Sequence, residues 1–530
     1  MPNLSTLPHE LFLHILYYVL NGRPDKAIFF YSRVPADLCL VNRHWHEIIT
    51  PLLYSRYEYT GKCDQVYSLC RLIESLVQNP ELAAHVRHLI LTAQYKPADL
   101  AENGSLLRRN PAIATLLEQY IDQAGLSSVG NPVDELLRGD LRALIALLLL
   151  HTPRLLSLQL HVYEDDPYLD AILARAVVRG DEDGDTQSRP LQSLQTLYVA
   201  SAEQTPPRDG LDPEVTDPAR MSQHRPFLRL PRLQELHIID AEIDSNLDTL
   251  QPEVTEMTQL SITFMSHIPN LLPVLQYTTN LTQLSLSLNV LNHKLDLSVH
   301  QSLWEALLPL GKRLQYLDIY EPEASVLSRA DLSSNKPLFP SYTHISFCCP
   351  LAQFPKLRQL CITPFMLQGH QCEHPSPEKF ISHLPPRLES LTLYAQNCTR
   401  ILQSINQLDK ELLSILQNKP PLPLNCLLFG TSRPLPVVLG PTATEQINRL
   451  CEAKGIMFKT SPYRYWFEGG RKTHFARTTH EVGESSEDLQ ASLGYQGYRE
   501  VIPRGLTVHG YRGRLDENWE KSLRETVILL

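Results

Sequence analysis

The chain has 530 residues, 43% hydrophobic and 20% charged, with a net charge of -10 at pH 7. This composition is typical of a globular protein, and the net charge argues against a nucleic-acid binder, which would carry a basic domain. The longest apolar run, residues 143–150, is too short to cross a bilayer, the N-terminus lacks a secretory signal pattern, and the ten cysteines have no framework spacing. We therefore expect a cytoplasmic and/or nuclear protein with reduced thiols and neither membrane nor nucleic-acid partners.

Residues 1–60 are predicted to form a small helical unit. The first helix carries apolar residues at helical spacing, namely Leu7, Leu11, Ile15, Leu16, Val19 and Leu20. The Asn-Gly-Arg-Pro segment at 21–24 ends this helix, and a second is predicted from Pro35 to Leu53, with Trp45 on its apolar face. So short a unit cannot bury a large core alone, so we expect it to present apolar surface.

Residues 61–133 are predicted to be a helical linker that contains a first irregular repeat. The clearer helices cover 66–77 and 112–121. Between them, residues 86–91 (Val-Arg-His-Leu-Ile-Leu) resemble the strand that later repeats.

From residue 134 to 466 one phrase dominates: an aliphatic residue, two variable ones, an aliphatic, a polar and another aliphatic. Copies start at 155, 194, 233, 257, 281, 314, 357 and 388, with further candidates at 342–347 and 424–429. Helices are predicted in several gaps, at 134–150, 169–178, 271–277, 299–310, 377–384 and 401–416. A helix at 444–454 and a strand at 456–459 would close the array. This phrase is the signature of a leucine-rich solenoid, an α/β fold with parallel strands on the concave face and helices on the convex face. The last segment, 467–530, shows no repeat phrase and is predicted to be a poorly ordered tail.

The polar residues within each phrase are expected to point to the concave face, because side chains alternate along a strand. They are mostly uncharged, with several tyrosines, as is common on protein-binding surfaces. The alternative is that such residues merely keep an exposed sheet face soluble. The candidate target-binding residues are Tyr198, His237, Tyr316, Asp318, Tyr320 and Tyr394.

The N-terminal unit resembles the F-box. The resemblance covers about 45 residues and rests on residues 7–16 (Leu-Pro-His-Glu-Leu-Phe-Leu-His-Ile-Leu) and 37–45 (Asp-Leu-Cys-Leu-Val-Asn-Arg-His-Trp). The segment from Gly22 to Pro35 is longer than the usual linker between these halves. The repeats and the tail also look like those of F-box proteins of filamentous fungi.

The resemblance implies an adaptor role. F-box proteins of this layout dock on the Skp adaptor, and through it on a cullin, while their repeats capture the protein to be ubiquitinated. By position, the residues implied to contact the adaptor or to pack beneath that contact are Leu7, Pro8, Leu11, Ile15, Leu16, Leu40, Val41 and Trp45. Two alternatives are a helical cap that seals the first repeat and a ligase-independent scaffold.

The sequence predicts no active site and no cofactor. It contains no P-loop, G-x-S-x-G or dinucleotide-binding motif. The best metal candidate, His370, Cys372 and His374 with Cys361 upstream, lacks a second ligand pair at zinc-site spacing and is predicted to be a solvated loop. In the family that the chain resembles, other subunits perform ubiquitin transfer, so we expect no catalytic or metal-binding residue here.

Overall fold

The structure is a computed structural model. It describes residues 11, 37–59, 63–91, 97–163, 166–177, 189–201, 219–220, 227–239, 241–242, 256–265, 271, 274–275, 278–288, 297–320, 351–363, 384–394, 402–417, 422–431 and 441–462. These residues fall into two compact units: the first runs to Tyr198 and includes Arg229–Leu233, and the second holds the remainder from Val199 onward. None of the helices in the described ranges is both long and apolar enough to cross a membrane.

The first unit is mostly helical. Its helices are α1 (Arg43–Ser55), α2 (Cys63–Gln78), α3 (Pro80–Ala83), α4 (Pro97–Arg109), α5 (Pro111–Gln123), α6 (Pro132–Arg138), α7 (Arg142–Leu150) and α8 (Pro167–Val177). Its strands are β1 (Arg56–Tyr59), β2 (His88–Leu91) and β3 (Ser157–Val162), and β4 (Thr196–Ser201) begins in it. Strand β2 pairs in parallel with both β1 and β3.

The second unit is built on a ladder of parallel strands in chain order. The strands are β5 (Ala219–Arg220), β6 (Glu235–Ile239), β7 (Ala241–Glu242), β8 (Gln259–Met265), β9 (Gln283–Leu288), β10 (Tyr316–Tyr320), β11 (Gln359–Ile362), β12 (Ser390–Tyr394), β13 (Cys426–Thr431) and β14 (Met457–Pro462). The short β5 and β7 pair only with each other, apart from the main ladder. The helices are α9 (Leu297–Leu307), α10 (Leu402–Gln417) and α11 (Pro441–Lys454), with single 3₁₀ turns at Leu308–Leu310 and Leu351–Gln353.

The repeated aliphatic residues form the core of this ladder. Equivalent leucines lie side by side, as in the pairs Leu260 with Leu284 and Leu284 with Leu317. The first leucine of each phrase, such as Leu281 or Leu314, is also fully buried. Parallel strands need long crossover connections, and the helices supply several of them. The predicted α/β fold with parallel strands is therefore confirmed.

Several predicted boundaries change. The single helix predicted at 134–150 is two helices, because Gly139 adopts a left-handed conformation (φ 96°) after α6 and its N–H donates to the Leu136 carbonyl. The helix predicted from Pro35 to Leu53 is also interrupted: α1 begins at Arg43, where the Asn42 side chain accepts a hydrogen bond from the Trp45 backbone N–H (2.9 Å).

Strand β1 was not predicted. Its sequence, Arg-Tyr-Glu-Tyr, directly follows α1, and it pairs with the strand expected at 86–91.

Some predictions lie outside the described residues. These are most of the first N-terminal helix, the candidate strand at 342–347, the histidines of the loop at 370–374 and the tail at 467–530. The predicted division into segments 1–60, 61–133, 134–466 and 467–530 stays a prediction.

Candidate functional site

The polar residues of the repeat phrases meet on one face of the second unit's ladder. One row crosses six neighbouring strands in register: His237, Ser261, Ser285, Asp318, Cys361 and Thr392. These side chains point away from the leucine core, because residues two apart along a strand share a face and the intervening leucines occupy the other.

Asp318 is the centre of a hydrogen-bonded cluster on this face. The Tyr394 hydroxyl donates to Asp318 Oδ1 (2.8 Å), and the Ser285 hydroxyl donates to Oδ2 (3.1 Å). The Tyr316 side chain is a third hydrogen-bond partner. The Tyr394 ring also meets the Tyr320 ring edge to face, with centroids 5.2 Å apart. Three strands, β9, β10 and β12, thus contribute to one polar network.

Burial dominates the electrostatics of this cluster. Asp318 is 1% exposed, and burial raises the pKa of its carboxyl from 3.8 to about 7, although the hydrogen bonds from Tyr394, Ser285 and Tyr316 oppose that rise. Hydrogen-bond donors are what a buried carboxylate requires if it is to ionise. The carboxyl therefore titrates near neutral pH.

Cys361 is part of the same cluster but is not activated. Its sulfur lies 3.3 Å from the Tyr316 hydroxyl. Burial, and to a lesser extent the Asp318 charge, raise the pKa of its thiol to about 12. Because the thiolate is the nucleophile, a thiol with so high a pKa is unreactive at neutral pH.

A small cavity lies beside this cluster, within the second unit. Its volume is about 10 Å³, room for about one water molecule, and its lining residues are His237, Gln259, Leu260, Ser261, Gln283, Leu284, Ser285 and Tyr316. Ser285 and Tyr316 belong to both features, so the Asp318 cluster holds one wall of the cavity in place.

The structure unites most of the predicted target-binding residues, but it buries them. Tyr316, Asp318, Tyr320 and Tyr394 form the cluster, and His237 lines the cavity. Tyr198 belongs to the other compact unit. All six are at most 5% exposed, whereas we expected an open concave surface. The reason is local for the cluster: the tyrosine side chains of β10 and β12 pack around one another and around the Asp318 carboxyl. Their role in binding stays a prediction.

The polar face includes further residues that the repeat pattern predicts on the concave face but that are not among the candidate target-binding residues. Ser285, Thr392 and the cavity residues Gln259, Ser261 and Gln283 occupy the same positions of the repeat phrase as the candidates. The signal for them is this shared position, since equivalent positions lie side by side in a parallel ladder.

The N-terminal residues present a different feature, exposed apolar side chains in the first unit. Leu11, Leu40 and Val41 are 53%, 84% and 56% exposed. Trp45 instead is partly buried and packs, with Leu38, Leu52 and Leu53, against a small core of Cys39, Ile48 and Ile49. Leu7, Pro8, Ile15 and Leu16 lie outside the described residues.

In the described ranges no three His, Cys, Asp or Glu side chains come together as ligands. Of the candidate set, only Cys361 is described, and its neighbours are Tyr316 and Asp318.

No family model matches the chain, and no curated protein matches it. The functional proposal therefore stands on the sequence pattern and on the geometry of these two surfaces.

Proposed function

We propose that the chain is the substrate-recognition subunit of a Skp–cullin–F-box ubiquitin ligase. In this proposal the N-terminal unit is an F-box that docks the Skp adaptor, and the irregular leucine-rich repeats capture a target protein. The supporting observation is the exposure of three apolar side chains: Leu11, Leu40 and Val41 are exposed at positions where the F-box pattern requires contacts to the adaptor.

The exposure of these residues argues against a role as a mere cap of the repeats. A capping helix would turn Leu40 and Val41 inward, yet they are 84% and 56% exposed, while Cys39 and Ile49 fill the small core. Burying a Leu or Val side chain in an interface contributes about 1.5–3 kcal/mol. Three such side chains would therefore contribute substantially to the free energy of binding. Their exposure in the free protein favours association with a partner protein.

In this proposal the chain performs no chemistry itself. The one buried thiol beside the carboxylate, Cys361, is held protonated, and the Asp318 carboxyl is occupied by hydroxyl donors. The mechanism is proximity: the F-box fixes the ligase, the repeats fix the target, and the high effective concentration of one at the other promotes transfer by the other subunits.

A second candidate function is a scaffold that holds a partner without a ligase. The observation that favours it is the polar cluster with its cavity, which belongs to the second unit and needs no F-box.

Adaptor co-purification separates the two functions. The test variant is Leu40→Ser with Val41→Ser, and the matched control is Met457→Ser, an apolar side chain that is 37% exposed on β14. The ligase proposal predicts that the wild-type chain and the control retain a Skp-type adaptor and that the double variant loses it while its circular dichroism is unchanged. If the double variant still retains the adaptor, or the wild-type chain never does, the scaffold function is favoured.

A further inference from the structure

The concave face around Asp318 offers a captured protein little to contact. Asp318 and the tyrosines packed around it are at most 5% exposed, and the cavity beside them has room for about one water molecule. A captured protein must instead contact exposed groups of the ladder. Such groups lie in the turns that precede β10, β11 and β12.

Each of these three turns places a cation directly before the first leucine of its phrase. The three cations are exposed, and we call them the cationic edge: Arg313, Lys356 and Arg387. Because β10, β11 and β12 pair in register, equivalent positions lie side by side, about 4.8 Å apart from one strand to the next. The cationic edge is therefore a row about 10 Å long at one end of the strands.

Proline fixes the backbone beneath two of the three cations. The Leu357 N–H donates to the Phe354 carbonyl (3.1 Å) and closes a turn around Pro355 and Lys356. The turn that holds Arg387 is closed in the same way, with a proline at the same position. Proline presets the backbone dihedral at this position of a turn, so the two cations are presented on a backbone that loses little freedom when a partner binds.

The turns carry an excess of positive charge. Residues 308–315, 351–358 and 384–389 contain five Lys or Arg residues and one carboxylate. That carboxylate, Glu389, forms an ion pair with Arg358 at 3.6 Å. The one acidic residue of these turns is therefore engaged by a cation outside the cationic edge.

The cationic edge itself keeps its charge. The Arg313 guanidinium donates to the Thr279 carbonyl, a neutral acceptor. Among the described residues, no carboxylate forms an ion pair with Lys356 or Arg387. In a chain with a net charge of -10, this row is a local region of opposite sign.

We propose that the cationic edge receives an acidic segment of the captured protein, with two or three Asp or Glu side chains within about 10 Å. A carboxylate matches the charge of Lys and the two-pronged guanidinium of Arg. Local charge complementarity also steers an acidic partner that the net charge of the chain would otherwise repel. This inference rests on the target-capture part of the proposed function and is independent of adaptor docking.

A protein segment fits this surface better than a single-stranded nucleic acid does. Surfaces that bind single strands combine cations with exposed aromatic side chains on which the bases stack. In the part of the second unit that the structure describes, no Phe, Tyr or Trp side chain is exposed, and Tyr316, Tyr320 and Tyr394 are buried. The cations are therefore present without a stacking platform.

The test uses the full chain and a matched pair of double variants. Lys356→Gln with Arg387→Gln removes two charges from the cationic edge, and both side chains are exposed, so the fold should be retained. Arg449→Gln with Lys454→Gln removes the same two residue types from the exposed face of α11. Both variants change the net charge equally, and circular dichroism checks that both are folded.

Three labelled probes are compared by fluorescence anisotropy. The first is a dodecapeptide of alternating Glu and Ser, the second is the same peptide with Gln in place of Glu, and the third is a single-stranded hexathymidylate of similar charge to the first. The proposal predicts that the wild-type chain binds the Glu peptide at least tenfold more tightly than the Gln peptide at low salt. Binding of the Glu peptide should weaken as NaCl is added, because salt screens exposed charges.

The two double variants should differ. Lys356→Gln with Arg387→Gln should weaken binding of the Glu peptide at least fivefold, since an exposed ion pair contributes up to about fivefold in affinity. Arg449→Gln with Lys454→Gln should change it by less than about twofold. The proposal is overturned if the Glu and Gln peptides bind alike, if the two variants behave alike, or if hexathymidylate binds more tightly than the Glu peptide.

Failure of this inference and failure of the proposed function give different results. If the peptide results hold and the Skp adaptor does not bind, the ligase function is lost and the acidic-segment site stands. If the adaptor binds and the two double variants behave alike, only the acidic-segment site is lost.

Discussion

Replacing Asp318 by asparagine should remove a loss of stability that the second unit undergoes as the pH rises. The carboxyl has an ordinary pKa of 3.8 and a folded-state pKa raised to about 7. A raised folded-state pKa means that the folded protein holds a proton which the unfolded chain has released. The stabilising effect of this proton is complete below about pH 4 and is lost as the pH rises through about 7.

The magnitude follows from the shift. Three pKa units correspond to roughly 4 kcal/mol in total, at about 1.36 kcal/mol per unit, and about 2–3 kcal/mol of this falls between pH 5 and pH 8. Asparagine keeps an oxygen that accepts from the Tyr394 hydroxyl but does not titrate. Between pH 5 and pH 8, the free energy of unfolding of the variant should therefore rise by about 2–3 kcal/mol relative to that of the wild-type chain.

The assay is urea unfolding of both chains at pH 5, 6, 7 and 8, with the difference in free energy of unfolding plotted against pH. Thr392→Val is the control, since it changes a buried side chain in the same row and leaves the carboxyl in place. Its difference from wild type should be nearly constant. A difference for Asp318→Asn that stays within about 0.5 kcal/mol from pH 5 to pH 8 would refute the raised pKa of this buried carboxyl.

Three further outcomes are expected. Iodoacetamide should leave Cys361 unmodified in the folded chain at pH 8 and alkylate it in urea, because burial raises the pKa of this thiol to about 12. Peptide mass spectrometry measures the labelling, and alkylation of Cys361 in the folded chain would contradict the prediction. Leu317→Ala should lower the free energy of unfolding by about 2–5 kcal/mol, since Leu317 is fully buried in the leucine row of β10, and a loss below 1 kcal/mol would contradict that packing. Gly139→Ala should lower the free energy of unfolding by about 1 kcal/mol, because a φ of 96° is unfavourable for alanine. Gly455→Ala should have a similar cost from the backbone alone, since φ is 68° and no heavy atom lies near the added methyl. A neutral result at both positions would be inconsistent with these conformations.

The strand ladder could be predicted from the sequence because its signal is local and repeated. Leu284, Leu317 and Leu360 stand at the same position of successive phrases, and a parallel ladder places equal positions side by side. The boundaries that changed depend on single residues: Gly139 ends α6, and Asn42 caps α1.

The site could be predicted only in part. The repeat position indicated which face Asp318 and Tyr394 occupy, and the structure confirms that they share it. Their burial and the rise in the Asp318 pKa could not be predicted, because both depend on how the Tyr394, Tyr316 and Ser285 side chains from other strands converge on one carboxyl. The cavity is likewise a property of four strands together and has no signature in any one phrase.

Binding of a Skp-type adaptor by the exposed N-terminal side chains is tested most directly by measuring affinity. Biolayer interferometry gives the affinity for a purified Skp adaptor of three purified chains: the wild type, Leu40→Ser with Val41→Ser, and Met457→Ser. We predict saturable binding by the wild type and by Met457→Ser, and a loss of at least a hundredfold in the double variant, the equivalent of about 2.7 kcal/mol for two apolar side chains. Absence of wild-type binding, or equal affinity of all three chains, would contradict the claim.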